Sequence, residues 1–524
     1  MVQELTRRGA VAAGLGMAAM AWSARATQAI ASPVAKTKHG PIRGYVDDGI
    51  LAFRGVRYGA DTGPRRFQPP VPPAAWTEVA DANQYGAASP QRDRNAGPTS
   101  EDCLFLNVWT PALRDGRKRP VMVYIHGGAY SNGSGSSPLY DGVRLCKRGD
   151  VVVVTLNHRL NAFGYGYLAR LAPELADSGN AGQLDLILAL GWVRDNIAEF
   201  GGDPGKVMVF GQSGGGAKIA TLMATPAAAG LFHRAATMSG QQVTASGPGN
   251  ATQRTLAFLD ALKLKPEQAA EARTLPAERL VEALAAQDPV LGFGGLYFGP
   301  VLDERSLKRH PFYPDAPAQS AGIPMIIGNT HDETRAFMGG DPKTFSLTWD
   351  ELPARLTREV MRVDILPEPV IAEYRRLYPH YSPSDVLFSA TTAARSWRGA
   401  IIEAEERARA GTPAFAYQLD YPAAGERLRA SHASDIQLVF DNLAKPGATA
   451  TGATAQPIAD QMSEAFLAFA RTGDPNCKAI PKWEPYALPR RQTMVFNVPT
   501  ALVDDPRGAE RKLFAKVPFV QAGT

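Results

Sequence analysis

The sequence predicts an α/β architecture, a central and mostly parallel β-sheet flanked by helices, and two observations predict it. The first is a set of short apolar runs at residues 121–125, 151–156, 207–210, 324–327 and 415–419. Runs this short, rich in β-branched and aromatic residues, suit strands buried on both faces. The second is the helical patterning of residues 183–199, 214–223, 251–262 and 459–470, interleaved with those runs. Strands that alternate with helices imply crossover connections and so parallel neighbours. In such a sheet ligands bind beyond the carboxyl ends of the strands. The residues just after each strand are therefore where function is to be sought.

The bulk numbers fit one large domain. A chain of 524 residues, 45% hydrophobic and 20% charged, buries a sizeable core without covalent staples. No internal repeat or long polar linker divides it, so residues 32–524 are expected to form a single domain. Residues 444–456, small and flexible, read as a surface loop. The net charge of +5 comes with no Lys/Arg run long enough to track a phosphate backbone, which excludes nucleic-acid binding. Residues 1–31 read as an export signal of bacterial type. Arg7 and Arg8 precede an apolar stretch, residues 10–22, and small residues follow at Ala24, Ala26, Ala29 and Ala31. The paired arginines point to the twin-arginine route and a periplasmic or secreted protein. The apolar stretch is too short to cross about 30 Å of hydrocarbon, so no stable membrane anchor is expected. The oligomeric state is not legible. Of the cysteines Cys103, Cys146 and Cys477, an odd number in an exported chain, at least one is unpaired. Without a CxxC spacing, buried free thiols are expected, and no metal site.

Four of these five strand ends carry chemistry. After Phe210 come Gly211, Gln212, Ser213, Gly214 and Gly215. This is G-x-S-x-G between a strand and a helix, a sharp turn that pushes the serine hydroxyl into the open. The helix that follows aims its amino-terminal dipole at Ser213. After Ile125 come His126, Gly127, Gly128, Ala129 and Tyr130. Two glycines there let backbone N–H groups of Gly127 and Gly128, with that of Gly214, donate to an oxyanion. His126 reads as a residue that shapes this loop. After Ile327 the acids Asp332 and Glu333 compete for the role of orienting an imidazole, and periodicity does not choose between them. The base is expected far downstream, in the chain order serine, acid, histidine. His432 fits that order after residues 415–419, whereas His380 has no strand before it. A nucleophilic serine needs such a base and an orienting acid.

At this point the chain resembles the type-B carboxylesterases, the group that includes cholinesterases and bacterial para-nitrobenzyl esterases. The motifs that carry the resemblance run from about Gly40 to Tyr486. They include SEDCLFLN from Ser100 to Asn107, HGGAYSNGSG from His126 to Gly135, NHRL from Asn157 to Leu160, and GNAG from Gly179 to Gly182. Trp192, Asn196-Ile197, Phe200 to Pro204, and Phe469-Ala470 with Thr472 to Asn476 complete them. The resemblance implies an α/β-hydrolase fold, hydrolysis of small-molecule carboxylic esters through an acyl-enzyme on Ser213, no cofactor, and Glu333 as the acid, with Thr334 where the family has glycine.

Three departures from the family pattern bear on chemistry. Gln212 stands where the family usually has glutamate, which removes a negative charge beside the base. Ser89 stands where the partner of Cys103 would be, so that disulfide is expected to be absent. The stretch from Gln91 to Ser100 lacks the tryptophan that holds a quaternary ammonium. Arg54, Arg57, Arg92, Arg94 and Arg335 fall in segments that the resemblance places around the gorge. Gly294 and Leu296 fall where cholinesterases use bulky aromatics. Neutral or anionic esters with medium to large acyl groups are the expectation, with Ala129, Tyr130, Gln212, Leu296, Phe298 and Phe337 as substrate contacts. Amide or carbamate hydrolysis by the same triad stays open, and so does a non-catalytic binding protein on this fold.

Overall fold

The computed structural model describes residues 32–521 and 523–524; the expected export signal, residues 1–31, lies outside them. Every apolar run singled out above forms a strand. Among the described residues, eleven strands form one sheet. From edge to edge these are Ala501–Asp504, Gln492–Phe496, Ala414–Leu419, Met325–Thr330, Arg234–Met238, Gly202–Gln212, Arg119–Ile125, Val152–Leu156, Phe105–Thr110, Ile50–Arg57 and Tyr45–Asp47. The stretch of this order from Gln492–Phe496 to Val152–Leu156 is parallel throughout, and both edges are antiparallel. At one edge Asp48 (φ 46°) and Gly49 (φ 81°) turn the chain between neighbouring strands. Asp-Gly with both φ values positive is the tight hairpin turn whose twist matches that of the strands.

Strand side chains alternate between two apolar layers. Val121, Val123 and Ile125 pack on one face, and Met122 and Tyr124 on the other. Val207 and Val209 share the first layer, Met208 and Phe210 the second. Helix Ala181–Asn196 covers the first face with Leu186, Leu190 and Val193, and helix Ala455–Thr472 covers the second with Ile458, Met462 and Phe466. Burial on both sides is the reason these strands read as continuous apolar runs. Residues Pro33–Thr524 form one compact unit. No helix of the described residues is long and apolar enough to cross a membrane.

The structure adds elements that the pattern does not announce. Strand Arg234–Met238 is built largely from small residues, and the antiparallel edge strands are short. The central strand spans Gly202–Gln212, well beyond its apolar portion. Helix Ala455–Thr472 begins inside the expected loop 444–456, because Ala455 and Ile458 are already buried against the sheet.

The three cysteines are free thiols, Cys103 and Cys146 buried and Cys477 partly exposed. Ser89 is buried, and its hydroxyl accepts from the N–H of Leu160 at 3.2 Å. Burial pushes the Cys103 and Cys146 thiols far up from the ordinary cysteine range, so neither forms a thiolate at neutral pH. Thiol titration of the native, unreduced protein is therefore expected to detect Cys477 alone, and all three thiols after denaturation. A protected Cys103 in the denatured, unreduced chain contradicts this assignment.

Candidate active site

The central strand Gly202–Gln212 ends directly at Ser213, which adopts φ 56° and ψ −126° before helix Gly214–Ala224 begins. A side-chain-bearing residue in that region carries strain of about 1–3 kcal/mol. Packing on both sides holds it there. A Cβ on Gly214 would meet the Ala129 carbonyl oxygen at 2.1 Å, and one on Gly215 the Ile125 carbonyl oxygen at 1.9 Å. The Ser213 N–H donates to the Met238 carbonyl at 2.7 Å. Of residues 211–220, Ser213 alone is not buried.

The loop after strand Arg119–Ile125 lies against this turn, because Ile125 pairs with Gly211 in the sheet. Gly127, Gly128 and Gly214 line one cavity with Ser213. Among the described residues the N–H groups of Gly127 and Gly128 have no acceptor, so they remain open to a substrate oxygen. The loop is held from beneath by Lys218, a fully buried lysine on the helix after Ser213. Its Nζ donates to the carbonyls of Ala129 at 2.8 Å and His126 at 3.2 Å. Ala129 is itself left-handed, φ 52°. Gln91 closes the other end, donating to the Gly133 carbonyl at 3.0 Å and accepting from the Gly133 N–H at 2.7 Å. Desolvation pulls the Lys218 amine down to about 7. His126 stacks on His158 at 5.0 Å. Desolvation and the Lys218 charge push His126 down to about 3, so it is neutral and shapes the loop.

Glu333 and His432 follow strands Met325–Thr330 and Ala414–Leu419. The Glu333 side chain is fully buried and hydrogen-bonded to His432 Nδ1 through Oε2. Its Oε1 accepts from the Thr330 N–H at 2.9 Å and from Asn329 Nδ2 at 3.3 Å. Burial opposes its charge, but the His432 ring and the Thr330 N–H outweigh burial and hold the carboxyl below the usual range. It therefore stays ionised at neutral pH. Asp332 turns away, to His331 Nδ1 at 3.2 Å and Arg335 Nε at 3.0 Å. Of the two competing acids only Glu333 meets the imidazole. Gln212 Nε2 lies 3.2 Å from His432 Nε2, and Phe337 packs on the imidazole with ring centroids 4.7 Å apart. His380 is exposed and packs edge-on against Tyr381.

These groups open into a cavity of about 540 Å³. Ala129, Gln212 and Phe337 line it as expected; Tyr130, Leu296 and Phe298 do not. Those three are core residues, and the Tyr130 hydroxyl is spent on Gln242 Oε1 at 3.0 Å. Tyr297 lines the cavity instead of its neighbours, since successive residues of an extended segment face opposite ways. Gly294 is not among the lining residues either. The five expected arginines also fall outside. Arg54 pairs with Asp141, Arg57 with Asp102 and Arg335 with Asp332 and Asp385, while Arg92 and Arg94 are exposed. Two others line the cavity, Arg362 and Arg395. Desolvation and then the Arg362 charge pull Arg395 down to about 9, so it is still a cation at neutral pH. Among the described residues, no Asp or Glu side chain lines the cavity. Among the described residues no cluster of three or more His, Cys, Asp or Glu side chains is arranged to hold a metal ion. Sequence reasoning missed Lys218 although a lysine in the apolar stretch GGGAKIATLMA was a signal. Arg362 and Arg395 gave none.

Comparison with known proteins agrees with the geometry. The profile described as "Carboxylesterase family" matches residues 31–513. The chain is 33% identical over 499 residues to a para-nitrobenzyl esterase of Bacillus subtilis, covering 92% of this chain and 98% of that one. A crystal structure of a Geobacillus stearothermophilus carboxylesterase superposes with a TM-score of 0.82 at 38% identity, covering 92% of this chain and 99% of the other. A para-nitrobenzyl esterase structure gives a TM-score of 0.78 at 32% identity, covering 92% and 100%.

Lys218→Met tests the buried amine. The folded pKa lies below the unfolded one, so between about 7 and about 10.4 the unfolded chain binds the extra proton and stability rises with pH. The melting-temperature gap between wild type and Lys218→Met is expected to widen in favour of wild type from pH 7 to pH 9.5, with a lower kcat for the variant throughout. A gap independent of pH contradicts the assignment.

Proposed function

The chain belongs to the carboxylesterase family and is a carboxylic ester hydrolase of the α/β-hydrolase fold, and we propose that it works through an acyl-enzyme on Ser213 with His432 as general base and Glu333 as orienting acid. One observation carries this reading. Ser213, the imidazole bound to Glu333 and the unpaired N–H groups of Gly127 and Gly128 converge on a single cavity. Glu333 fixes the tautomer with the proton on Nδ1, which leaves the Nε2 lone pair as the base. In the resting arrangement the Gln212 amide donates to that lone pair. As the ester binds, Ser213 Oγ takes the place of the amide, attacks the carbonyl carbon and passes its proton to Nε2. Negative charge on the former carbonyl oxygen is met by the N–H groups of Gly127, Gly128 and Gly214 and by the dipole of helix Gly214–Ala224. The imidazolium protonates the leaving alcohol, and water repeats the sequence on the acyl-enzyme. Gln212 is uncharged, so Glu333 is the carboxylate hydrogen-bonded to the imidazolium.

Neutral or anionic esters with medium to large acyl groups are the proposed substrates. The cavity volume of about 540 Å³ accommodates them, and its two cationic arginines oppose a quaternary ammonium. The amino-terminal residues 1–31 are proposed to direct export by the twin-arginine route. Mass spectrometry of the native protein is then expected to find a mature terminus near Ser32, and an intact Met1 in exported protein contradicts it.

Purified protein assayed on chromogenic esters, amides, carbamates and a choline ester tests the activity. Esters are expected to be turned over best and the choline ester poorly. Ser213→Ala and His432→Ala abolish turnover in folded protein, whereas His380→Ala is silent. Glu333→Gln lowers kcat by roughly 10⁴-fold, since an amide leaves the imidazolium unsupported. A larger loss in Asp332→Asn, or turnover by folded Ser213→Ala, overturns the assignment.

A further inference from the structure

Most buried arginines in this protein are bound to acids, whereas the fully buried Arg407 and Lys218 donate to backbone carbonyls instead. The fully buried arginines Arg159, Arg254 and Arg507 bind Asp185, Asp288 and Glu510, and the nearly buried Arg335 binds Asp332 and Asp385. Such pairing is what the cost of desolvating a charge demands. Arg362 and Arg395, each half-buried, differ from all of these. Both line the cavity of Ser213, and among the described residues neither side chain has an ion-pair or hydrogen-bond partner. They are close enough for each to feel the other's charge, and Tyr297 feels both. The acid felt by Arg395 is Glu333, whose carboxylate is already bound to His432.

The backbone at both positions is unusual. Arg395 sits in a π-helical turn, Thr392–Trp397, and Arg362 is left-handed at φ 56° after the short helix Arg358–Met361. Single π-turns and left-handed side-chain-bearing residues are costly and concentrate at binding sites. Position relative to the reacting groups is equally specific. The Arg395 guanidinium packs on Phe337, 5.0 Å from its ring centroid, and Phe337 in turn packs on the His432 ring at 4.7 Å. The cation and the imidazole therefore share Phe337 as a neighbour and line the same cavity.

The geometry points to Arg362 and Arg395 as a carboxylate-binding subsite, which makes the preferred substrate an ester that carries a second, free carboxylate. Two guanidinium groups offer the bidentate donor geometry that a carboxylate fits. A bound carboxylate also supplies the counter-charge that the protein itself omits. This inference rests on the proposed Ser213 chemistry and narrows its substrate class to dicarboxylic half-esters or to esters of carboxylate-bearing alcohols.

Matched ester pairs test it. On the acyl side, the 4-nitrophenyl half-ester of terephthalate is compared with 4-nitrophenyl 4-methylbenzoate. On the alcohol side, 4-carboxyphenyl acetate is compared with 4-methylphenyl acetate. Wild type is expected to favour the carboxylate member of at least one pair by about ten-fold or more in kcat/KM, and whichever pair responds locates the charged end. Arg395→Gln and Arg362→Gln should each lower that ratio by about ten-fold, and exposed Arg94→Gln should leave it alone. Indifference to the carboxylate in both pairs, or a ratio that survives both cavity variants, overturns the subsite while ester hydrolysis stands. If no ester turns over, the Ser213 reading fails, and calorimetry with terephthalate decides the subsite. Binding that weakens in Arg362→Gln supports it, and no binding overturns it.

Discussion

The site depends on a single close approach. The turn at Ser213 is wedged so tightly between the strand ends that backbone oxygens lie about where the Cβ atoms of Gly214 and Gly215 would sit. That contact has two effects. It forces Ser213 into a conformation it would not choose, so its hydroxyl faces the cavity. It also brings the 126–135 loop, whose Ala129 carbonyl is one of the contacting oxygens, beside the amino end of the helix. Sheet order does the rest. Strands ending at Ile125, Gln212, Thr330 and Leu419 run parallel, with only Arg234–Met238 interposed, so their carboxyl ends form one row. Loop, serine, acid and base each leave from that row.

Charge around the row is distributed with economy. Glu333 is the ionised carboxylate at the reacting centre, and its neighbours keep it so. Asp435, three residues after His432, is buried and accepts from the Tyr417 hydroxyl at 2.7 Å. Desolvation pushes it up to about 6, and the hydrogen bond pins the segment that carries the imidazole. Lys218 acts under the loop in the same manner. Its amine donates to two carbonyls in either protonation state, so the loop keeps its shape across neutral pH. Gln212 is one of the departures from the family pattern that the sequence otherwise resembles. An amide there holds the free imidazole by a hydrogen bond and contributes no Coulomb term once the proton has moved.

The strands and motifs were legible because burial on both faces leaves an unbroken apolar run, and because a serine turn this tight requires glycine around it. The choice of Glu333 over Asp332 was not in the local pattern. It came from the family resemblance, and the side-chain contacts follow it. Substrate contacts were read less well. Leu296 and Phe298 are expected as substrate contacts, yet an extended segment alternates, and the residue between them faces the cavity. Of the arginines named from the sequence, Arg54, Arg57 and Arg335 pair with acids, and Arg92 and Arg94 are exposed. Arg362 and Arg395 come from two separate segments whose geometry, a left-handed residue and a π-turn, has no sequence period to betray it.

The central claim is that Ser213 is the nucleophile, and stoichiometric labelling with a fluorophosphonate tests it most directly. The reagent mimics the tetrahedral intermediate and bonds to an activated serine oxygen. Intact-mass and peptide mapping should find one phosphonyl group per chain, on Ser213, in step with loss of esterase activity. The folded Glu333→Gln variant should react far more slowly. Inactivation with the label on any other residue, or full activity retained with Ser213 labelled, contradicts the account.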